Sequence, residues 1–340
     1  MVYVEVSEPN RLTSFYLAME EYIARHIDST EDCFFMWQVP PTVMFGRNQL
    51  IDNEVNTEYC QEKGIHLIRR KSGGGCIYVD EGCILFSCIT HDDQVNMVFC
   101  QYIKRVVDML QAMGVDAHSG GRNDILIGDK KVSGNAFYHV PGRSIVHGTM
   151  LYDTNIQNMV ASITPSQEKL ISKGVQSIRQ HIALLKDHTT LTLEEVKRFA
   201  RKHLCSSTIT LTADDVKGIE EIEQDYLSDD FTYGNNPRYS IVHKKRIEGV
   251  GELEVRLELK NNVIKEANIM GDYFLTGDLD NGILKKLRHV PYNAQAIDNA
   301  LPDRLDDIIR NLKKQQLVDL ILAERKLPCN HPDLTPTTNC

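Results

Sequence analysis

The sequence predicts an α+β protein with two domains: a larger one built on a mixed, mainly antiparallel sheet, and a smaller α+β domain at the C-terminus. At 340 residues the chain exceeds the length at which one hydrophobic core usually stops growing. Up to about residue 155, strand-like segments with tight turns are interspersed with single helices. A second β-rich unit then contains the alternating segment GELEVRLEL. We expect the larger domain to span residues 1–245 and the smaller one residues 246–340.

The elements of the larger domain follow from the spacing of apolar residues. Residues 13–28 have apolar side chains three and four positions apart, which predicts an amphipathic helix. Residues 52–64 and 94–113 predict two further helices. Gly128-Asp129 predicts a tight turn between two strands. The strand candidates are CFFMWQV, TVMFG, HLIRR, CIYVD, CILFSCIT, NDILIG, KKVSGNAFYHV and SIVHGTMLYD, with CIYVD and CILFSCIT expected as a pair.

Helices and charged connections dominate after residue 155. The residues from Thr192 to Glu195 form a capping box that predicts the start of a helix, and a second acidic helix is expected at about 213–226. The segment SDDFTYGNNPRYS is rich in turn-forming residues and marks a plausible domain boundary. The C-terminal tail LPCNHPDLTPTTNC is expected to fray.

Composition and charge exclude several classes of function. The chain has 38 basic and 47 acidic residues, a formal net charge of −9, which gives no basic footprint for duplex nucleic acid or anionic membrane. Its nine cysteines are irregularly spaced without a CxxC pair, which is typical of reduced thiols in a core. The N-terminal segment MVYVEVSEPNRL does not resemble a signal peptide. We therefore expect a cytoplasmic protein with neither nucleic-acid nor membrane partners.

The segment IRRKSGGGCIY, residues 68–78, places three cations directly before three glycines. Glycine allows close approach to the backbone, and consecutive N–H groups in such a turn form an anion site. The equally weighted alternative is a hairpin turn with a solvated basic rim. The segment is not a P-loop, because no GxxxxGK[ST] sequence occurs. The nearest approach to GxGxxG is Gly249-Val250-Gly251, which has Glu254 where the third glycine should be.

Three further stretches combine glycine with polar residues at predicted strand ends, and neighbouring strands could bring them to one face of a sheet. They are Gly121-Arg122-Asn123-Asp124, Lys130-Lys131-Val132-Ser133-Gly134-Asn135-Ala136 and Val146-His147-Gly148-Thr149. Lys131 is a candidate point charge over a phosphate or carboxylate, or the exposed end of a hairpin. His147 is an acid–base candidate or a structural histidine. Asp124 is a magnesium ligand or a turn cap. Cys76, Cys83 and Cys88 could act as nucleophiles only beside a base.

Several motifs in the same order resemble those of the lipoate-protein ligase family, of the A type, within the biotin/lipoate ligase-like cofactor transferases. IRRKSGGGCIYVDEG is similar to its RRxSGGGAVYHDxGN motif, and NDILIGDKKVSGNAF followed by HGTMLYD is similar to its ND…GKKISGNAQ…HGTLL sequence. WQVPPTVMFGRNQ and KGVQSIRQHIALL resemble two further segments of the family. The resemblance covers residues 11–185 and continues more weakly into the C-terminal domain.

The resemblance implies a biotin/lipoyl ligase-like fold and a two-step reaction. Such enzymes activate the carboxylate of lipoate with ATP and Mg²⁺, release pyrophosphate and hold lipoyl-AMP. They then transfer the lipoyl group to one lysine of an acceptor domain, in the E2 subunits of 2-oxoacid dehydrogenases or in the glycine-cleavage H protein. Because a carboxylate must approach an anionic phosphate, such a site needs preorganised cations and N–H donors.

The resemblance also implies roles for individual residues. ATP or adenylate contacts come from Arg70, Lys131 and the backbone at Gly75, Cys76, Ile77 and Tyr78. Lipoate contacts come from Lys131, Ser72, Gly73, Gly74 and His147, and an adenylate-covering loop contains Lys173, Gly174 and Val175. Asp124 is the candidate Mg²⁺ ligand, and Trp37, Met44 and Phe86 are candidates by residue type for an apolar tunnel. The chain departs from the family pattern at Val79, usually His, and at Cys76, usually Ala.

Three alternatives are less favoured. A cysteine-dependent octanoyl or lipoyl transferase of the same fold needs a nucleophile near the lysine and His-Gly-Thr region, but no cysteine lies between Cys100 and Cys205. A catalytically silent binder of lipoate or of acceptor domains has no need for Arg70, the triple glycine and Lys131 together. A biotin-protein ligase is disfavoured because the GRGRxG loop is missing.

Overall fold

The fold was determined as a computed structural model. It describes residues 1–8, 10–49, 51–92, 95–121, 123–163, 181–232, 241–260 and 262–323. The strands are β1 (Val2–Glu5), β2 (Cys33–Trp37), β3 (Thr42–Phe45), β4 (His66–Arg69), β5 (Ile77–Val79), β6 (Cys83–Thr90), β7 (Ala117–Gly120), β8 (Asp124–Ile127), β9 (Lys130–Val140), β10 (Arg143–Leu151), β11 (Ser207–Thr210), β12 (Ile241–Ile247), β13 (Gly251–Lys260) and β14 (Val263–Gly271). The helices are α1 (Thr13–His26), α2 (Ile51–Glu54), α3 (Thr57–Lys63), α4 (Val95–Ala112), α5 (Ile156–Ile163), α6 (Leu193–Leu204), α7 (Ala213–Leu227), α8 (Asp229–Thr232), α9 (Lys285–Leu287), α10 (Ala294–Ala300) and α11 (Lys314–Ile321).

The main sheet confirms the α+β prediction. Its strands have the order β11-β1-β2-β6-β10-β9-β8-β7. In this order, each pair of neighbouring strands between β2 and β7 is antiparallel. The pairs that β1 forms with β11 and with β2 are parallel. The predicted turn at Gly128 connects β8 to β9, and the glycine has the positive φ of 58° that this turn requires. The β9–β10 pairing places the segments around Lys131 and His147 on adjacent strands.

Two hydrophobic cores cover the two faces of the main sheet. Alternate residues of β2 point to opposite sides, so that Phe35 and Trp37 join the core on the α1 side and Phe34 joins the core on the α4 side. Every residue of β6 is buried, because this central strand is covered on both faces. Phe86 packs against Phe34 in the α4-side core, with the ring centroids 5.5 Å apart.

A small three-stranded sheet shows that the glycine segment is not a hairpin turn. Its order is β4-β3-β5, with β4 parallel and β5 antiparallel to β3. Residues 70–76 therefore cross over β3 from one edge of the small sheet to the other, and the hairpin alternative is wrong. The expected pairing of CIYVD with CILFSCIT is also wrong, because β5 and β6 belong to different sheets.

The helices agree with the predictions except at one position. The single helix expected over 52–64 is two short helices, because Asn56 accepts a hydrogen bond from the backbone N–H of Tyr59 and starts α3 anew. The predicted capping box at Thr192 and Glu195 is formed at the start of α6. Strands β1, β7, β11 and β12 are not among the predicted strands. Over the described parts of the chain, no helix is both long and apolar enough to cross a membrane.

The second domain contains the antiparallel sheet β12-β13-β14, with its own core beneath the helices that follow. We propose that this domain begins with β12 at Ile241, a few residues before the boundary expected at 245/246. Two backbone hydrogen bonds join it to the first domain: Gly74 donates to the Tyr273 carbonyl at 2.9 Å, and Gly271 donates to the Asn48 carbonyl at 2.7 Å. The predicted linker residues 233–240 and the C-terminal tail lie outside the described residues.

Phe274 anchors the second domain to the first. Its ring stacks on that of Phe137 with the centroids 5.5 Å apart, and its side chain is 1% exposed. We predict that Phe274→Ala lowers the free energy of unfolding by about 3–5 kcal/mol, as is usual when a buried aromatic ring is removed. Urea unfolding followed by circular dichroism measures this change. The control Val242→Ala, at a 51% exposed position, should change it by less than about 0.5 kcal/mol. Equal stability of the two variants would contradict the anchoring role.

Candidate active site

A cavity of about 820 Å³ lies where the glycine segment, β8, β9, β10 and the second domain meet. Of the predicted nucleotide contacts, Arg70, Gly75, Cys76, Ile77 and Lys131 line this cavity, and Tyr78 does not. Of the predicted lipoate contacts, Gly74 and His147 line it together with Lys131, whereas Ser72 and Gly73 do not. Asp124 also lines it. Lys173, Gly174 and Val175 lie outside the described residues. Segments far apart in sequence thus converge on one site.

Arg70 shapes the glycine segment. Its side chain is 3% exposed and donates hydrogen bonds to the carbonyls of Met44, Gly73 and Gly75 at 3.0, 2.9 and 2.6 Å. Its Nε donates to the hydroxyl of Ser72 at 3.0 Å. Burial lowers the pKa of Arg70 to about 10, which leaves it charged at neutral pH. The guanidinium is therefore a fixed positive charge in the cavity wall, with its donors turned to the segment that it shapes.

The two cations beside Arg70 in the sequence, Arg69 and Lys71, do not line the cavity. Arg69 donates hydrogen bonds to five backbone carbonyls, those of Gly46, Arg47, Gln49, Phe231 and Thr232. Lys71 forms an ion pair with Glu21 at 2.5 Å and lies over the ring of Tyr226. Both side chains support the local fold.

The glycines of the segment are required by close backbone contacts. A Cβ on Gly73 would lie 2.3 Å from the Tyr273 carbonyl oxygen, and a Cβ on Gly46 would lie 2.1 Å from the Gly74 carbonyl oxygen. Gly74 has a φ of 87°, which disfavours any other residue. Because its N–H is bonded to Tyr273, this amide binds the second domain in the structure. Gly75, Cys76 and Ile77 follow it in the segment and line the cavity, as Gly74 does.

Lys131 extends across Gly134 into the cavity. A Cβ on Gly134 would lie 2.6 Å from Cε and 2.7 Å from Nζ of this lysine, so the missing side chain makes room for it. Lys131 is 38% exposed and forms an ion pair with Asp124, with Nζ 2.8 Å from Oδ1. Thr149 accepts a hydrogen bond from the Gly134 N–H at 3.2 Å and fixes the strand beneath. The charge is thus held at the cavity and shared with one carboxylate.

His147 belongs to a buried hydrogen-bond network that the sequence did not reveal. Its Nδ1 lies 2.9 Å from Oε2 of Glu20, and its Nε2 lies 2.7 Å from the Ser72 hydroxyl. Glu20 is fully buried and also accepts a hydrogen bond from Ser87, which accepts one from Trp37. If Nδ1–H donates to Glu20, Nε2 can accept a hydrogen bond from the Ser72 hydroxyl. The available signal was an acidic residue on the apolar face of helix 13–28.

One end of the cavity is apolar. Trp37, Met44, Ile77 and Leu85 line it, which agrees with two of the three tunnel candidates. Phe86 does not line it, because its side chain points to the other face of the sheet, into the α4-side core. The cavity therefore combines an apolar end with the charged groups around Lys131.

The three candidate thiols, those of Cys76, Cys83 and Cys88, are poor nucleophiles. Cys76 lines the cavity, but burial raises its pKa to about 12. Burial also raises the pKa of Cys83 and Cys88, which are both enclosed by the core. At pH 8 a thiol with a pKa of 12 is ionised in only about one molecule in ten thousand. These three thiols, among the cysteines that the structure describes, therefore give no support to chemistry that passes through a cysteine thioester.

We predict that brief treatment with iodoacetamide at pH 8 labels the exposed Cys100 and leaves Cys76, Cys83 and Cys88 unmodified. The labelled positions are read by peptide mass spectrometry, with a urea-unfolded sample as the control in which all of them react. In a Cys100→Ser background the treated protein should keep its activity. Rapid labelling of Cys76 together with loss of activity would show that this thiol is activated.

Two family models match the chain. The description "Lipoyl protein ligase A/B catalytic domain" matches residues 13–205, and "Bacterial lipoate protein ligase C-terminus" matches residues 236–321. Lipoate-protein ligase LplJ of Bacillus subtilis is 33% identical over 317 residues, which cover 90% of this chain and 95% of the relative. Lipoate–protein ligase 1 of Staphylococcus aureus is 32% identical, with 83% and 89% covered.

Solved structures agree in fold. LipL1 of P. falciparum, in complex with lipoate, has a TM-score of 0.71 at 21% identity and covers 95% of this chain and 98% of its own. The bi-partite lipoate protein ligase of Thermoplasma acidophilum has a TM-score of 0.63 at 25% identity, covering 71% of this chain and 98% of its own. The family models therefore match both domains of the chain, and the solved structures have the same fold. The chain belongs to the lipoate-protein ligase family of enzymes.

Proposed function

We propose that the protein activates lipoate with ATP to lipoyl-AMP and then transfers the lipoyl group to a lysine of an acceptor domain. The single observation that carries this proposal is the cavity in which Lys131, the Arg70-held segment and an apolar end meet. The apolar end fits a hydrocarbon chain, and the charged end fits a carboxylate beside a phosphate. A related lipoate-protein ligase A was solved with ATP bound, and LipL1 was solved with lipoate, which supports both substrates.

In the activation step a carboxylate oxygen of lipoate attacks the α-phosphorus of ATP, and the bond from that phosphorus to the pyrophosphate oxygen breaks. Two anions must come together, so the charge of Lys131 and the buried charge of Arg70 lower the repulsion between them. Gly75, Cys76 and Ile77 line the same space, and we propose that their backbone N–H groups orient the adenylate. Arg70 contributes through its field and through the shape of the segment, since its donors are bonded to carbonyls.

Asp124 fits a role as Mg²⁺ ligand. Its Oδ1 is buried and has no hydrogen-bond partner in the structure besides the ion pair with Lys131. Over the described residues there is no cluster of three or more metal-ligating side chains, and Mg²⁺ at nucleotide sites commonly takes one or two carboxylates with phosphate oxygens and water. When bound there, the ion would neutralise phosphate charge. Asp124 would hold it next to Lys131.

We propose that the lipoyl chain lies along Trp37, Met44 and Leu85, with the His147 and Ser72 network beside it. In the transfer step the neutral amine of the acceptor lysine attacks the acyl carbon, the bond from that carbon to the AMP oxygen breaks, and the nitrogen loses one proton to solvent. We propose the lipoyl domains of 2-oxoacid dehydrogenase E2 subunits and the glycine-cleavage H protein as acceptors. The Thermoplasma ligase was studied with its E2 lipoyl domain, which supports the first class.

We propose a cytoplasmic location, with no nucleic-acid or membrane partner. The described cysteines are free thiols, which is typical of proteins kept in a reducing compartment. The net charge of −9 gives no general attraction to anionic polymers or surfaces.

Lys131→Ala should reduce lipoate-dependent exchange of labelled pyrophosphate into ATP about 100-fold. Loss of one preorganised charge at the reacting phosphate costs about 3 kcal/mol of transition-state stabilisation. Lys130→Ala is the matched control, because this exposed neighbour does not line the cavity and should leave the exchange within about twofold of the wild type. Exchange at the wild-type rate in Lys131→Ala would remove this lysine from the mechanism.

Gly134→Ala tests the position of Lys131 without removing its charge. The new methyl group would overlap Cε and Nζ, so the lysine must move away from the strand while the backbone keeps its conformation. We predict at least a tenfold loss of exchange activity, because misplaced catalytic groups lose most of their effect. The thermal unfolding midpoint should change by only a few degrees. Full activity with a shifted lysine would show that its observed position is not required.

A further inference from the structure

The second domain supplies its own group of cations and glycines to the cavity. Arg246, at the end of β12, and Arg310 both line it. Gly249 and Gly251, which fail as a dinucleotide motif in the sequence, line it between these arginines. These four residues form a wall of the cavity that the proposed roles of the first-domain residues do not use. It faces the same space as Lys131.

The glycines form the tip of a hairpin. β12 and β13 pair from Ile247 with Gly251, and the Val250 N–H donates to the Ile247 carbonyl at 3.1 Å to close the turn. Gly249 has a φ of 75°, which the tight turn requires. The side chain of Asn311 donates to the Gly249 carbonyl at 3.0 Å. The hairpin tip is thereby tied to the loop that carries Arg310.

Arg310 is held in place from two sides. Its guanidinium lies over the ring of Phe99 in the first domain, 5.2 Å from the centroid, and its backbone N–H donates to the Phe274 carbonyl at 3.0 Å. Partial burial lowers its pKa, but an arginine remains charged at neutral pH. Little freedom is lost when such a cation receives an anion, which is the usual advantage of a preorganised arginine. Contact with Phe99 also makes its position dependent on the domain interface.

Carboxylates line this wall as well, and they set what it can bind. Asp272 lies 3.7 Å from Arg246, a long ion pair, and it also accepts the backbone N–H of Glu252. Arg246 is 72% exposed, so its pairing with Asp272 can be exchanged for a stronger anion at little cost. Glu248 is exposed at the turn. The charges of the two arginines balance those of the two carboxylates, so this wall does not repel an anion. A polyphosphate can then bind through several oxygens, because a guanidinium group donates two parallel hydrogen bonds.

We propose that Arg246, Arg310 and the Gly249–Gly251 turn form the binding site for the pyrophosphate portion of the nucleotide. The proposal rests on the proposed ATP-dependent function. As the lipoate oxygen forms its bond to the α-phosphorus, the bond to the bridging oxygen breaks and its electron pair leaves on pyrophosphate. Neither a proton nor a redox change is involved. The negative charge that accumulates on the leaving group is then met by cations of the second domain.

The site has a consequence for the two half-reactions. Formation of lipoyl-AMP requires both domains, because the triphosphate bridges Lys131 in the first and the arginines in the second. Transfer from lipoyl-AMP to the acceptor lysine does not require Arg246 or Arg310, since pyrophosphate has already left. The two steps therefore separate the proposed role from a general structural role.

The test is lipoate-dependent exchange of labelled pyrophosphate into ATP, with the KM for pyrophosphate and kcat determined separately. We predict that Arg246→Ala and Arg310→Ala each raise the KM for pyrophosphate at least tenfold, and that Arg310→Lys has a smaller effect. Arg288→Ala is the matched control, since this half-exposed arginine of the same domain pairs with Glu266 and does not line the cavity. It should stay within twofold of the wild type. Transfer from supplied lipoyl-AMP to a lipoyl acceptor domain should proceed normally in all variants, which also shows that they are folded.

The outcomes are distinguishable. Exchange in the wild type with an unchanged KM for pyrophosphate in both alanine variants would overturn the inference and leave the proposed function intact. An equal loss of exchange and transfer in both variants would also overturn it, because the arginines would then be structural. Absence of exchange in the wild type would overturn the proposed function, and this site with it.

Discussion

The buried charge of Arg70 is the constraint on which the rest of the site depends. A guanidinium removed from water must have all its donors satisfied, and here the partners are carbonyls of β3 and of the glycine segment that follows it in sequence. These hydrogen bonds hold the segment as it crosses β3. The crossing brings Gly75, Cys76 and Ile77 to the cavity wall and places Ser72 against His147. The buried charge of Arg70 thus holds the conformation of a segment whose residues line the cavity.

The site solves an electrostatic problem by division of labour. Joining a carboxylate to a phosphate requires positive charge, but cations crowded together without anions would repel one another and destabilise the empty enzyme. In the structure two cations of the cavity are paired with carboxylates, Lys131 with Asp124 and Arg246 with Asp272. Substrate anions can replace these partners at moderate cost. The apolar end of the cavity is formed by residues of β2, β3, β5 and β6 that belong to the α1-side core or pack against it.

Local patterns in the sequence predict most strands and the capping box, because these features depend on residues a few positions apart. They also single out the polar, glycine-containing stretches that line the cavity. Non-local pairing could not be read. The segments flanking the glycines look like a hairpin, but both pair with β3, which lies more than twenty residues before them. Lys71 resembles a site cation until its partner Glu21 is known. Phe86 was a plausible tunnel residue by type, and only the register of β6 shows that it points to the opposite face. Glu20 was overlooked because its partner His147 is 127 residues away.

The central claim is that side chains and backbone amides from distant segments converge on one acyl-nucleotide. A crystal structure of the protein with a non-hydrolysable sulfamoyl analogue of lipoyl-adenylate tests it most directly. We expect Nζ of Lys131 to lie within about 3.2 Å of an oxygen at the acyl–sulfamoyl junction, and the lipoyl chain to lie against Trp37 and Leu85. An analogue bound elsewhere, or bound here with Lys131 still paired to Asp124 and more than about 6 Å from the junction, would contradict it.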